Sequence, residues 1–554
     1  MKNVKTRTPF AHRGRRPGRA AAALAAVAAV ALLVGACTND TLRPGGVRPT
    51  DAASTGSTES YEGLPDAIGL QELSWETCQE PTPIQGTGTG TAPGEDWECS
   101  TLTVPLDYDE PDGGTIGIAL IRAATTAPAD ERIGSLVFNF GGPGASGVAT
   151  LPAFEGEYEA LRDGGYDLVS FDPRGVGESA GVVCLDAEAV DEQQQEDTGP
   201  PETAAELAEA DAQDAAYIAA CERNAGDLLP HVSTANAARD MDVLRHVLGD
   251  ARLHYFGISY GTQLGAVYAH LFPGTVGRTV LDAVVDPSPD VLTQVGLQTE
   301  GFQLALDHYL ADCAEHEGAD CPTGTDPAAG GAVITDLLDS LEDAPLPTSD
   351  PDGRELTSGL AMTGILSTLY SEEAWQYLTQ GLQEVTLQGT GNLLLLLADF
   401  YNGRDSQGRY SNQGDAFTAI QCADDPASGM SVEEAREHED ELLALSPVFG
   451  EMMMWGLTGC GDWPVPAAET ERPEYGAPDA ASPVLLVATT GDPATPYEGA
   501  ARMQEAIGGP DVAPLLSYDG EGHSAYTTGD ECVVGTVNAH LLEGTVPEDG
   551  TRCG

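Results

Sequence analysis

Positive charge is scarce in this 554-residue chain: 25 Lys and Arg stand against 88 Asp and Glu, a formal net charge of −63. Seven of those cations (Lys2, Lys5, Arg7, Arg13, Arg15, Arg16 and Arg19) fall within residues 1–19, so the remainder is more acidic still. A field of that sign repels phosphate backbones and excludes nucleic acid as a partner. It also repels anionic lipid headgroups, so no basic face is left for membrane adsorption. A long apolar run is missing too. The Ala/Val/Leu stretch over residues 20–36 is short for a bilayer span, which needs ~20 apolar residues. No Cys-x-x-Cys pair or Cys/His cluster stands at metal-ligand spacing, so neither a metal nor a cofactor is expected. No internal repeat is present. What is abundant is apolar content, 41% of residues, enough to bury a large core.

The first residues stand apart from that core. A basic segment, the apolar run and small residues ending in "LLVGAC" describe a signal peptide over 1–36. Small residues directly before Cys37 resemble a bacterial lipobox, in which the cysteine is lipidated and becomes the mature N-terminus. An ordinary secretory signal with a chance cysteine is the alternative. The polar stretch that follows suits a flexible tether, taken as 37–70. The protein is thus expected outside the cell, held to the membrane only through lipidated Cys37, or secreted. Of eleven cysteines, ten remain besides Cys37, and an even number in an exported chain implies disulfides. Spacing does not dictate their connectivity; the simplest scheme joins neighbours, 78–99, 184–221, 313–321, 422–460 and 532–553.

Beyond the tether, "LTVPLDYDEPDGGTIGIALIRAAT" reads as two strands around a turn. "GSLVFNFGGPGASG" and "YDLVSFDPRGVGESAG" each run from a buried-type strand into a loop. Helical spacing marks residues 202–223 and "STANAARDMDVLRHVLG", the latter capped by Ser233 or Thr234. Strand "LHYFGIS" passes into helix "YGTQLGAVYAHLF", and "VGRTVLDAVVD" is another strand. Helical patterns then dominate until "SPVLLVATTGDP", a strand, followed by helix "YEGAARMQEAIG", strand "APLLSYDGEGHS" and helix "VVGTVNAHLLEG". Alternating strands and helices imply an α/β fold, a mostly parallel sheet with helices on both faces. Residues 71–288 and 482–554 would form that core, with 289–481 an inserted helical cap.

"HYFGISYGTQLG" places Ser259 between glycines where a strand meets a helix, the setting of a nucleophile elbow. Serine needs a neighbouring base. Of ten histidines, His523 alone sits in a glycine-rich loop directly after a strand, where loops of a parallel sheet converge. Asp492 in "TTGDPATP" ends the preceding strand and suits the acid that orients the base. The order Ser259, Asp492, His523 is the α/β-hydrolase order. "NFGGPGASG" offers backbone N–H groups of Gly141 and Gly142 as one half of an oxyanion hole, with Tyr260, the residue after the nucleophile, as the other.

As a set, "NFGGPGASG", "DLVSFDPRGVGES", "STANAARDMDVLR", "GISYGTQLGAVYAHLFPG", "LDAVVDP", "AIQCADDP" and "GDPATP" with "GHSAY" resemble the tripeptidyl aminopeptidase-like serine peptidases of actinobacteria. These are secreted or lipid-anchored α/β-hydrolases with a helical cap, related to prolyl aminopeptidases. The resemblance runs over roughly residues 73–554 and departs at Phe140, where the family's glycine loop carries proline. It implies that Ser259, Asp492 and His523 form the triad of an exopeptidase that releases short peptides, with tripeptides the expectation, from substrates with free N-termini.

Such an enzyme needs carboxylates for the substrate ammonium. Asp424 and Asp425 in "QCADDP" are the candidates, Asp286 and Glu178 weaker ones, and a solvated acidic turn is the competing reading. Met452, Met453 and Met454 read either as cap core or as the wall of an apolar pocket. A carboxylesterase or lipase using the same triad is the alternative function. A non-catalytic surface lipoprotein is disfavoured by the intact triad and glycine loop.

Overall fold

Ten strands join in one sheet, in the order β1-β2-β3-β5-β4-β6-β7-β8-β9-β10. They span Glu76–Thr77 (β1), Trp97–Pro105 (β2), Thr115–Ala123 (β3), Gly134–Asn139 (β4), Tyr166–Phe171 (β5), Leu253–Ile258 (β6), Val276–Asp282 (β7), Val484–Gly491 (β8), Leu515–Glu521 (β9) and Thr551–Cys553 (β10). The computed structural model describes residues 60–554 apart from 87–90, 197–202, 289, 426–427, 461–462 and 466–471. The signal peptide, Cys37 and most of the tether expected from the sequence lie outside the described residues.

β1, β2, β3 and β5 pair antiparallel, and every pairing from β5 onward to β10 is parallel. The expected hairpin is β2–β3, its nine-residue strands paired from Trp97↔Ala123 to Pro105↔Thr115 around the Asp/Pro/Gly turn. Every residue of β4 and β5 is buried, as central strands covered on both faces require. On one face Met241, Leu244, Leu264, Val267, Met503 and Ile507 pack from three helices, Thr234–Val247, Tyr260–Leu271 and Glu498–Ile507. On the other, Tyr158, Leu161, Val533 and Val537 pack from Glu155–Asp163 and Glu531–Asn538. Ser233 caps Thr234–Val247 by accepting the N–H of Asn236.

Winding reverses between β4 and β6: β4 continues in sequence to β5 on one side and lies beside β6 on the other, with Asn139 opposite Gly257. Ligands of open α/β sheets bind at such a switch point, outside the strand C-termini. The glycine loop after β4 and the Ser259 turn after β6 both emerge there.

β7 and β8 pair directly, from Thr279↔Val484 to Asp282↔Val487. Between them lies a helical excursion running from Val291–His316 to Gly450–Trp455. It has its own apolar cluster, including Leu306, Tyr309, Ile365, Leu378, Leu394 and Phe449. All five neighbour-to-neighbour disulfides form, Cys78–Cys99, Cys184–Cys221, Cys313–Cys321, Cys422–Cys460 and Cys532–Cys553. The edge strands β1 and β10 were not foreseen from sequence, because two or three residues carry no periodicity.

One buried ion pair joins the loop after β5 to the helix Thr234–Val247. Arg174, with a fully buried side chain, donates Nε and Nη2 to the two oxygens of Asp240 at 2.8 and 2.6 Å. Its remaining N–H groups reach the carbonyls of Pro105, Leu106 and His231.

Candidate active site

Ser259 follows β6 and precedes the helix Tyr260–Leu271, with φ 58° and ψ −125°. This left-handed φ is strained for a residue with a β-carbon, at a cost of about 1–3 kcal/mol. The turn is held by its backbone: Ser259 N–H donates to Asp282 O at 3.0 Å, and Thr262 donates both N–H and Oγ1–H to Ser259 O at 2.8 and 2.6 Å. A β-carbon on Gly261 would lie 2.5 Å from Asn139 O, so β4 can approach this closely only because glycine follows the elbow. Oγ makes no capping bond to its own helix, and Ser259 borders the cavity described below.

His523 stands in the loop after β9. Its Nδ1 lies 2.9 and 3.0 Å from the two oxygens of Asp492, whose side chain is wholly buried at the end of β8. Asp492 also accepts the N–H groups of Ala494 and Thr495 and the hydroxyl of Thr495, so its orientation is fixed from three directions. A proton on Nδ1, donated to that carboxylate, leaves Nε2 as the acceptor. The backbone N–H of His523 donates to Tyr370 O at 2.8 Å, and the Tyr370 ring stands edge-on to the imidazole, centroids 5.3 Å apart. Burial works against the imidazolium, but the Asp492 carboxylate with its hydrogen bond, and then Asp282, outweigh it, so the His523 pKa is raised. A base must be neutral, so activity is lost as pH falls through that raised value. The acid limb of kcat/KM is expected above the ordinary histidine value of about 6.5. In Asp492→Asn the residual activity should show that limb shifted downward, which a pH–rate profile measures.

A residue missed from sequence clasps the histidine loop. Asp282, fully buried at the end of β7, accepts the Ser524 hydroxyl at 2.7 Å and the N–H groups of Ala525 and Tyr526 at 3.0 Å each. Asp282→Asn keeps the shape but turns an amide donor against these donors. It is expected to cost about 1–3 kcal/mol in chemical denaturation and to lower kcat through a displaced His523. Asp172 plays the same part for the glycine loop: buried, it accepts Ser146 Oγ, Val148 N–H, Gln85 Nε2 and Glu178 N–H.

The glycine loop reaches the elbow as expected. A β-carbon on Gly141 would lie 2.8 Å from Ser259 Cβ and 3.1 Å from Tyr260 N. The N–H of Gly141, however, is donated to Asn139 Oδ1 at 3.1 Å. Gly142 and Tyr260 border the cavity, and the Tyr260 N–H, in the first helical turn, has no intrahelical acceptor. Gly141 therefore gives the site its close fit, and Gly142 is the loop's remaining candidate donor.

Ser259 and His523 open on one cavity of 1310 Å³, walled by the core and by the helical excursion. Among the described residues its acids are Asp186, Asp286, Asp415, Asp424 and Asp425, against Arg409 and Arg472. Asp424 and Asp425 reach it as expected but differ in setting. Asp424 is 5% exposed with both oxygens engaged by Thr234, whereas Asp425 pairs with the exposed Arg472 at 2.8 Å. Asp286 is held by Arg502 through Nε and Nη2, and Glu178, bonded to Thr82, is not part of the wall. Met452 and Met453 line the cavity, while Met454 is buried with Ala435, Leu442 and Leu457. Among the described residues, Asp530, Cys532 and Cys553 bring ligand-type atoms together, and both sulfurs are engaged in their disulfide.

Residues 446–553 match the family described as TAP-like protein. Serine protease Hip1 of Mycobacterium tuberculosis is 36% identical over 87% of this chain and 91% of its own length. Carboxylesterase B of Mycobacterium tuberculosis is 36% identical over 87% of this chain and 90% of its own. Tripeptidyl aminopeptidase of Streptomyces lividans is 30% identical over 87% and 86%.

Proposed function

Because the chain belongs to the TAP-like family of α/β-hydrolase serine hydrolases, we propose that Ser259, His523 and Asp492 hydrolyse peptide bonds near free N-termini, releasing short peptides, most simply tripeptides. The observation that carries this reading is the acid-walled cavity onto which Ser259 and His523 open. Among the described residues of its wall, five aspartates stand against two arginines, with Asp286 further held by Arg502, a balance that favours a cationic ligand end over an anionic one. The helical excursion serves as the cap that closes the cavity over substrate, and Asp425 exchanges Arg472 for the substrate ammonium.

Nε2 of His523 takes the proton of Ser259 Oγ as Oγ bonds to the scissile carbonyl carbon. The Tyr260 and Gly142 N–H groups hold the oxyanion. Collapse breaks the C–N bond, and the imidazolium gives its proton to the leaving amine. Water, deprotonated by the same nitrogen, attacks the acyl carbon, and as the C–Oγ bond breaks the imidazolium returns its proton to Oγ, freeing Ser259 and the N-terminal fragment as a carboxylic acid. Asp492 keeps its charge throughout. Export through the signal peptide and anchoring through Cys37 complete the proposal, which places the site outside the cell. Among the described residues no helix is long and apolar enough to cross a membrane.

The esterase reading is favoured by one observation, the equal identity to the relative named carboxylesterase B. Matched peptide anilides of one to four residues, free or acetylated at the N-terminus, separate the two. Turnover of the free-amine tripeptide alone supports the exopeptidase. Equal turnover of both forms removes amine recognition, and turnover of simple esters without amides moves the assignment to an esterase.

A further inference from the structure

We propose that Asp424 is a positioning residue of this hydrolytic site, holding Tyr260 through Thr234 and so fixing the backbone N–H that Tyr260 offers to the oxyanion. The inference rests on the reading of Ser259 as nucleophile and adds a role that sequence assigned elsewhere, to substrate binding.

Hydrogen-bond bookkeeping gives the chain its direction. Thr234 N–H donates to Asp424 Oδ1 at 2.7 Å, and Thr234 Oγ1 lies 2.6 Å from Oδ2. An ionised carboxylate only accepts, so the single hydroxyl proton of Thr234 goes to Asp424. The Tyr260 hydroxyl, 2.6 Å from Thr234 Oγ1, must then be the donor in that contact. The order is Tyr260 OH to Thr234 Oγ1 to Asp424, and it ends on a charge. Tyr260 is the residue directly after Ser259, so one end of this chain is the nucleophile's neighbour.

The placement of Asp424 is suited to the task. It closes the helix Gln413–Asp424 of the excursion, which Cys422–Cys460 secures, while Thr234 begins a helix of the core. The bond from the first N–H of Thr234–Val247 adds the favourable end of that helix's dipole. Around the carboxyl stand Thr234, Gln263 at 3.4 Å, Tyr260, Tyr475 and the Asp425–Arg472 pair. Desolvation is the chief influence and, with the Asp425 charge, pushes its pKa to about 7 against the opposing Thr234 bonds. Thr234 and Gln263 already engage both oxygens of this 5% exposed carboxyl, which favours support of the site over substrate contact.

Tyr260→Phe removes one hydroxyl, Thr234→Val cuts the relay but keeps its N–H, and Asp424→Asn removes the charge. Each is assayed on a simple nitrophenyl ester, which has no amine, and on the best free-amine anilide. The expected result is a kcat about tenfold lower on both substrates in every variant, with KM within about twofold and weaker binding of a peptide boronic acid that mimics the tetrahedral adduct. The Thr234→Val/Asp424→Asn double variant should be no slower than either single one, since both break one chain. Wild type should lose the same factor as pH falls through about 7, a step absent in Thr234→Val beside the retained His523 limb. Raised KM on the free amine with unchanged ester turnover in Asp424→Asn would make it the amine anchor instead. Unchanged kcat in Tyr260→Phe and Thr234→Val, whatever the stability of Asp424→Asn, overturns the relay. Full activity in Ser259→Ala would instead overturn the underlying reading.

Discussion

Ser259→Ala is expected to lower kcat/KM by about 10⁴- to 10⁶-fold on every substrate the protein turns over. In the proposed mechanism Oγ forms the covalent bond, and the other hydroxyl at this turn, Thr262 Oγ1, is committed to Ser259 O. His523→Ala should fall to the same floor, and the double variant no lower, because base and nucleophile act as a unit. What remains is the contribution of the oxyanion donors and the cavity. Stability should move the other way at this position. Ser259 has φ 58°, which glycine adopts without strain, so Ser259→Gly is expected to be inactive yet about 1 kcal/mol more stable. Thermal unfolding beside a burst assay separates the two effects, and an inactive variant that is also unfolded would contradict both.

The second large effect lies away from the reacting atoms. Arg174→Met should destabilise the protein by about 3–5 kcal/mol. The substitution leaves Asp240, 1% exposed, without its guanidinium, and strips partners from the carbonyls of Pro105, Leu106 and His231. The Tyr108 hydroxyl, 2.7 Å from Asp240, is too weak a donor to replace a cation. Arg174→Met with Asp240→Leu should recover the part of the loss that comes from the stranded charge, leaving the cost of the unpaired carbonyls and of the Tyr108 hydroxyl. Denaturant titration of the two variants measures this, and a double variant as unstable as the single one would contradict it.

How far such a site can be read from sequence depends on whether a residue sits in a pattern of its own. The proposed triad of Ser259, Asp492 and His523 could be nominated from sequence because each ends a strand-like run at a turn and their order is distinctive, and His523 lies against Asp492 in the structure. The five disulfides match the simplest scheme of sequence neighbours, although spacing alone left their connectivity open. Asp282 and Asp172 were not legible. Among 88 acids a lone aspartate at a strand end carries no signal, and each acquires its role only when loops distant in sequence bring it three or four donors. The same holds for Asp424, whose acidic neighbour Asp425 shares its motif yet faces Arg472. Gly141 and Gly142 look equivalent on paper; the Asn139 side chain, two residues earlier, distinguishes them by taking the N–H of Gly141.

The direct pairing of β7 with β8 has a temporal consequence. Ser259 and the proposed oxyanion donors Gly142 and Tyr260 are synthesised before the helical excursion, and Asp492 and His523 after it. A chain emerging N-terminus first therefore exposes Ser259 long before any partner exists to activate it. Closing the loop between β7 and β8 must bring together residues some two hundred positions apart, the kind of contact that forms slowly. Hydrolytic competence is thus a late property of this chain, gained when β8 and β9 dock, and any truncation upstream of β8 leaves an inert serine.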